Sequence, residues 1–137
     1  MKQWIWIIAL CFTIPAIGGA HETGKQTTVN YENTSVNYAY EHWKQGGNSL
    51  IPFIFLDVRT PEEYAAGHIR GAHLIPLQEL AAHINEIPRY KAVYVYCSSG
   101  KRSSRAATLL AKYGFSNIVN VTGGIMAWKK AGYPVQQ

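Results

Sequence analysis

The chain has 137 residues, enough for one domain with a buried core, and a formal charge of +5 from 13 Lys and Arg against 8 Asp and Glu. That positive balance is modest and scattered, so it suits anionic ligands but offers no continuous basic surface for nucleic acid. The sequence also lacks internal repeats, low-complexity tracts and blocks of like charge.

The chain opens MKQWIWIIALCFTIPAIGGAHETGK, with Lys2 ahead of an apolar run from Trp4 to Ile17 and small residues Gly18, Gly19 and Ala20 before His21. This layout predicts a secretory signal peptide over 1–20, cut before His21. The run is shorter than the roughly 20 apolar residues a membrane-spanning helix needs. The mature form is therefore expected outside the bilayer, in the periplasm or secreted. Of the two cysteines, Cys11 leaves with the signal and Cys97 remains alone. With no internal disulfide partner, Cys97 is either a buried apolar residue or a reactive thiol.

Polar residues 21–33 lack periodicity and read as a flexible leader to a single domain over 34–137. Val36, Ala39, Tyr40 and Trp43 then recur at helical spacing until Gly46-Gly47 stops the helix. PFIFLDV, ending just after Asp57, is apolar and β-rich, which predicts a buried strand. Thr60-Pro61-Glu62-Glu63 carries a cap, a proline suited to the first helical position and an acid able to return a bond to the cap. A short helix is expected there, ending at Gly67. Leu77, Leu80, Ala81 and Ile84 predict another amphipathic helix, and KAVYVYC the next strand. Ala106, Leu109, Leu110 and Tyr113 mark a helix closed by Gly114. NIVNV is a third strand, and Gly123-Gly124 leads into a last helix over IMAWKKA. Buried strands alternating with helices argue for an α/β fold with a mainly parallel central sheet flanked by helices. Ligands of such sheets bind beyond the carboxyl ends of the strands, where Asp57 and Cys97 both lie.

CSSGKRS, residues 97–103, occupies one of those strand-to-helix junctions. A loop of this kind turns several backbone N–H groups inward, and Gly100 permits the backbone angle that requires. Donors near a helix N-terminus lower a thiol pKa from about 8.5 toward 3.5–7.5. Lys101, Arg102 and Arg105 stand in the first turns of the helix, against the preference of its dipole, which makes sense if an anion occupies the loop. From these local features Cys97 is a nucleophile or an inert core thiol. Ser98, Ser99, Ser103 and Ser104 either donate hydrogen bonds to a ligand or simply suit a tight turn and cap.

Three blocks, LDVRTPEEYAAGHIRGAHLIP (56–76), CSSGKRS (97–103) and VTGGIMAWKKAGYPV (121–135), give the chain its resemblance to single-domain rhodaneses, in an exported form. The resemblance covers roughly residues 35 to 135. It implies the rhodanese three-layer fold and a sulfurtransferase in which Cys97 takes a sulfane sulfur from a small anionic donor such as thiosulfate. Cys97 would hold the sulfur as a persulfide and pass it to cyanide, a thiol or a partner protein. The substrate-binding set is then Ser98, Ser99, Gly100, Lys101, Arg102 and Ser103, with the two cations drawing the donor's sulfonate. Asp57 is expected to orient the loop or Arg102, and Arg59 and Glu63 to share its polar network. His68 and His73 are poorly spaced for one face and have no ligand cluster beside them, so neither metal nor cofactor is expected.

Two other classes compete. Cysteine phosphatases and arsenate reductases carry their loop arginine at the place of Ser103, whereas here it stands one earlier, at Arg102. The loop is one residue shorter, which the rhodanese resemblance ties to transfer of a sulfur atom rather than to a tetrahedral oxyanion. The second class is an exported sulfur carrier or a protein-binding rhodanese-like module, which would share every motif.

Overall fold

In the computed structural model the described residues are 30–137. The expected signal peptide and residues 21–29 of the expected leader lie outside them. Nine elements follow in chain order: β1 (Glu32–Thr34), α1 (Val36–Gln45), β2 (Phe53–Asp57), α2 (Pro61–Ala66), β3 (His73–Leu74), β4 (Ala92–Tyr96), α3 (Lys101–Lys112), β5 (Ile118–Val121) and α4 (Gly124–Lys130). The sheet has five strands in the order β1-β5-β4-β2-β3, and every pairing is parallel. The expected α/β architecture is thus present, with the two longest strands, β2 and β4, paired at its centre.

Alternation along those strands divides the core between the two faces of the sheet. Ile54, Leu56, Val93, Val95 and Ile118 join Ala106, Ala107 and Leu110 of α3 on one side. Phe55, Tyr94, Tyr96 and Val121 meet Val36 and Ala39 of α1 and Ile125 and Trp128 of α4 on the other. Cys97 belongs to the α3 side. Among the described residues no helix is long and apolar enough to cross a membrane.

Two expectations need correction. The leader does not run through residue 33, because Glu32 and Asn33 already pair with β5 as an edge strand. The helix expected around Leu77–Ile84 is absent; the segment forms 3-10 turns at Leu77–Glu79 and Ile84–Glu86. Pro76 and Pro88 bound this segment, and neither turn has a side-chain cap at its start. Leu80, Ile84 and Ile87 still bury against the sheet. The apolar spacing therefore reported which side chains face the core, and the tighter backbone delivers them equally well.

Candidate active site

Tyr96 ends β4 and Lys101 begins α3, so four residues make the turn that carries Cys97. Gly100 caps α3 with φ 108°, in the left-handed region that a glycine enters at no steric cost. It supplies no capping side chain. The Cys97 sulfur takes that place instead, accepting the N–H of Gly100 at 3.1 Å and that of Ser103 at 3.4 Å. Ser103 sits at the third position of the helix, where a capping oxygen would ordinarily accept. The sulfur is thus held by the free donors of the helix N-terminus.

Cys97 is 1% exposed, and Ser103 is fully buried beside it. As a thiol, Cys97 donates to Ser103 Oγ at 3.5 Å while that hydroxyl donates to Gly100 O at 3.1 Å. On ionisation the hydroxyl can turn to donate to sulfur. Burial pushes the Cys97 thiol up, but the Ser103 hydroxyl and N–H and the N–H groups of Gly100 and Ser99 outweigh it. The thiol consequently titrates below its ordinary value.

The loop is braced from two sides. From α4, the N–H of Ile125 donates to Cys97 O at 2.9 Å and that of Met126 to Ser98 O at 3.1 Å. These bonds pull the carbonyls away from the sulfur, leaving the N–H edges of the loop to face it. The approach is so close that a Cβ on Gly124 would stand 2.6 Å from Ser98 O, and closer still to Cys97 O. Gly124 is therefore a site residue that the sequence marked only as part of a helix lead-in.

From α2, Glu63 reaches across. Its Oε2 accepts Arg102 Nη1 at 2.7 Å, and its Oε1 accepts Arg102 Nη2 at 2.7 Å and Ser98 Oγ at 3.1 Å. Oε2 also accepts the N–H of Thr60 at 2.9 Å, closing the capping box of α2. The Arg102 guanidinium, followed by the backbone and Ser98 bonds, holds the Glu63 carboxyl well below the usual carboxylate range despite partial burial. A bidentate pair of this kind is both strong and directional.

Asp57 does something else. It is fully buried and accepts Arg59 Nε at 3.0 Å and Arg59 Nη2 at 2.7 Å, while that Nη2 also donates to Gly67 O at 2.8 Å. The orienting partner of Arg102 is Glu63, not Asp57, and Glu63 does not share the Asp57–Arg59 pair. An arginine two residues away saturates Asp57 before the loop can reach it. Of the remaining expected residues, Ser98 is half-buried, while Ser99 and Lys101 are exposed, as is Arg105. Among the described residues no group of three His, Cys, Asp or Glu stands close enough to hold a metal ion.

The buried thiol is thus held by helix N–H groups just beyond a central strand of the parallel sheet. The model of the rhodanese-like domain matches residues 35–131. The chain belongs to the rhodanese-like domain family. A sulfurtransferase of Allochromatium vinosum is 38% identical over 82 residues, which is 60% of this chain and 77% of that protein. A putative sulfur carrier protein of Bacillus subtilis is 34% identical over 111 residues, 81% of this chain and 57% of the relative. Among solved structures, a rhodanese-related protein from Thermoplasma volcanium is 36% identical with a TM-score of 0.69, covering 77% of this chain and 98% of the other. The rhodanese-like domain protein of Staphylococcus aureus is 30% identical with a TM-score of 0.65, covering 78% and 100%. Membership in this family and its named sulfurtransferase relatives support a role in sulfur transfer.

Proposed function

We propose that the protein is a sulfurtransferase working through a persulfide on Cys97, with thiosulfate or a comparable sulfane donor and a thiol or cyanide as acceptor. The observation that carries this reading is the sulfur held by the Gly100 and Ser103 N–H groups with its thiol lowered. The Cys97 thiolate attacks the sulfane sulfur of thiosulfate; the donor's S–S bond breaks, and sulfite leaves with the electron pair. The terminal sulfur of the resulting persulfide carries the negative charge, facing donors already in place for an anion. An acceptor thiolate or cyanide then attacks that terminal sulfur, forming a new persulfide or thiocyanate and returning the Cys97 thiolate. Lys101 and Arg105, both exposed at the rim, draw the anionic donor. No metal or cofactor enters this cycle.

The export signal read over 1–20 adds a periplasmic or secreted location to the proposal. A second reading, a sulfur carrier charged by a partner protein, is favoured by the Bacillus subtilis relative named as a putative carrier. Intact mass after incubation with thiosulfate tests both, beside Cys97→Ser. Gain of one sulfur by the wild type alone, discharged by cyanide, is the expected result. Absence of any adduct on reduced protein removes thiosulfate as the donor and leaves the carrier reading.

A further inference from the structure

Of the cations gathered at the start of α3, one is not available to a ligand as the loop stands. Arg102 gives both terminal nitrogens to Glu63 at 2.7 Å, and Nη2 shares a third contact with Ser98 Oγ at 3.2 Å. Lys101 and Arg105 remain, both on the exposed face and without an ion-pair partner among the described residues. A carboxylate thus sits beside the anion-facing loop and neutralises the guanidinium of Arg102. If Glu63 served only to cap α2, its bonds to Thr60 would suffice.

Resting on the sulfur-transfer reading above, we propose that Glu63 determines the anion selectivity of the Cys97 loop, holding Arg102 in a neutral pair so that tetrahedral dianions bind weakly. The N–H cradle alone then receives the single sulfur atom of a persulfide. The donor class that fits this site best is a hydropersulfide, R–S–SH. The Cys97 thiolate attacks its outer sulfur, the donor S–S bond breaks, and R–S⁻ leaves with the electron pair and takes up the proton. This transfer needs no receptor for a sulfonate. Thiosulfate, a dianion, reacts at its outer sulfur with a high KM because the Arg102 guanidinium is already paired with Glu63.

Glu63→Gln is nearly isosteric and keeps the return bond of the capping box, so it removes the charge rather than the cap. The probe is inorganic sulfate, titrated at constant ionic strength while the amide resonances of Gly100 and Ser103 are followed in the full chain. Sulfate binding should tighten roughly tenfold in Glu63→Gln, the value of one added charge-assisted contact. The double variant Glu63→Gln/Arg102→Gln, which leaves no uncompensated charge, should return to wild-type affinity. In turnover, the thiosulfate KM of Glu63→Gln should fall while that of a neutral hydropersulfide stays level. Equal or absent sulfate binding in wild type and Glu63→Gln overturns the proposal, as does a parallel fall in both KM values. A double variant weaker than wild type also overturns it, because Arg102 would then be serving the anion despite its pair. Sulfate binding requires no sulfur transfer, so these outcomes are separable from the case in which Cys97 accepts sulfur from neither donor.

Discussion

Gly124→Ala isolates the bracing of the loop by α4. Gly124 has φ 55°, and an added methyl group would press on Ser98 O at 2.6 Å and Ser98 C at 2.7 Å as well as on Cys97 O. All three are backbone atoms, so no side chain can swing aside. An L-residue in the left-handed region costs about 1–2 kcal/mol, and overpacking against fixed atoms about 1–3 kcal/mol. A combined loss near 3 kcal/mol is a large share of the roughly 5–15 kcal/mol that holds a domain of this size. Urea denaturation should show a lowered midpoint. The variant should also load sulfur at least roughly tenfold more slowly, since shifting the loop misdirects donors whose individual loss costs about 10²–10³ in rate. Stability within about 0.5 kcal/mol of wild type, together with unchanged loading, would refute the idea that α4 sets the loop geometry.

Further expectations follow from the same geometry. Asp57→Ala leaves the buried Arg59 guanidinium unpaired and should cost about 3–5 kcal/mol in chemical denaturation, and Arg59→Met in the same background should recover part of it. Thr60→Ala removes one half of the α2 capping box and should cost about 1 kcal/mol, read in the same assay. Cys97 titrates below its ordinary thiol value, so the folded state releases this proton at lower pH than the unfolded chain does. Its contribution to stability is thus fully present above the unfolded thiol pKa and is lost as pH falls through the lower folded one. The stability difference between wild type and Cys97→Ser should therefore grow with rising pH across that window; a flat difference would show an unshifted thiol. Ser103→Ala removes the hydroxyl beside Sγ and should move the pH midpoint of Cys97 alkylation upward.

What the sequence showed and what it withheld separate by distance along the chain. The α2 cap, the β2 and β4 strands and the glycine turn after Cys97 are written within a few residues each, and all were legible. The edge strands β1 and β3 are three and two residues long, too short to show an alternation, and exist because β5 and β2 offer them a partner. Glu63 illustrates the other limit. Its capping role lies three residues from Thr60 and could be read, but its pairing with Arg102 spans 39 residues and is made only once the paired strands β2 and β4 bring the two helix starts within reach. Asp57 pairs with Arg59, which was expected in its network and lies only two residues away, so it is not the partner of Arg102. The Gly123-Gly124 pair was visible, but the carbonyls it must avoid belong to a loop on another strand.

These contacts divide the work between backbone and side chains in a way that bears on which loop residues matter. The groups touching sulfur are the N–H donors of Gly100 and Ser103 and the Ser103 hydroxyl. Peptide N–H groups point where the backbone directs them, so the chemistry depends on loop shape more than on the identity of each side chain. Ser98 contributes to that shape twice, through its carbonyl to Met126 and its hydroxyl to Glu63. Ser99 is exposed and its side chain makes no hydrogen bond among the described residues, although its N–H helps to lower the thiol. Exchange of the Ser99 side chain should thus leave loading unaffected, whereas exchange of the buried Ser103, or of a glycine with no side chain at all, should not. Among the serines of CSSGKRS, Ser98 and Ser103 thus shape the cradle through their hydrogen bonds, while the Ser99 side chain lines its rim.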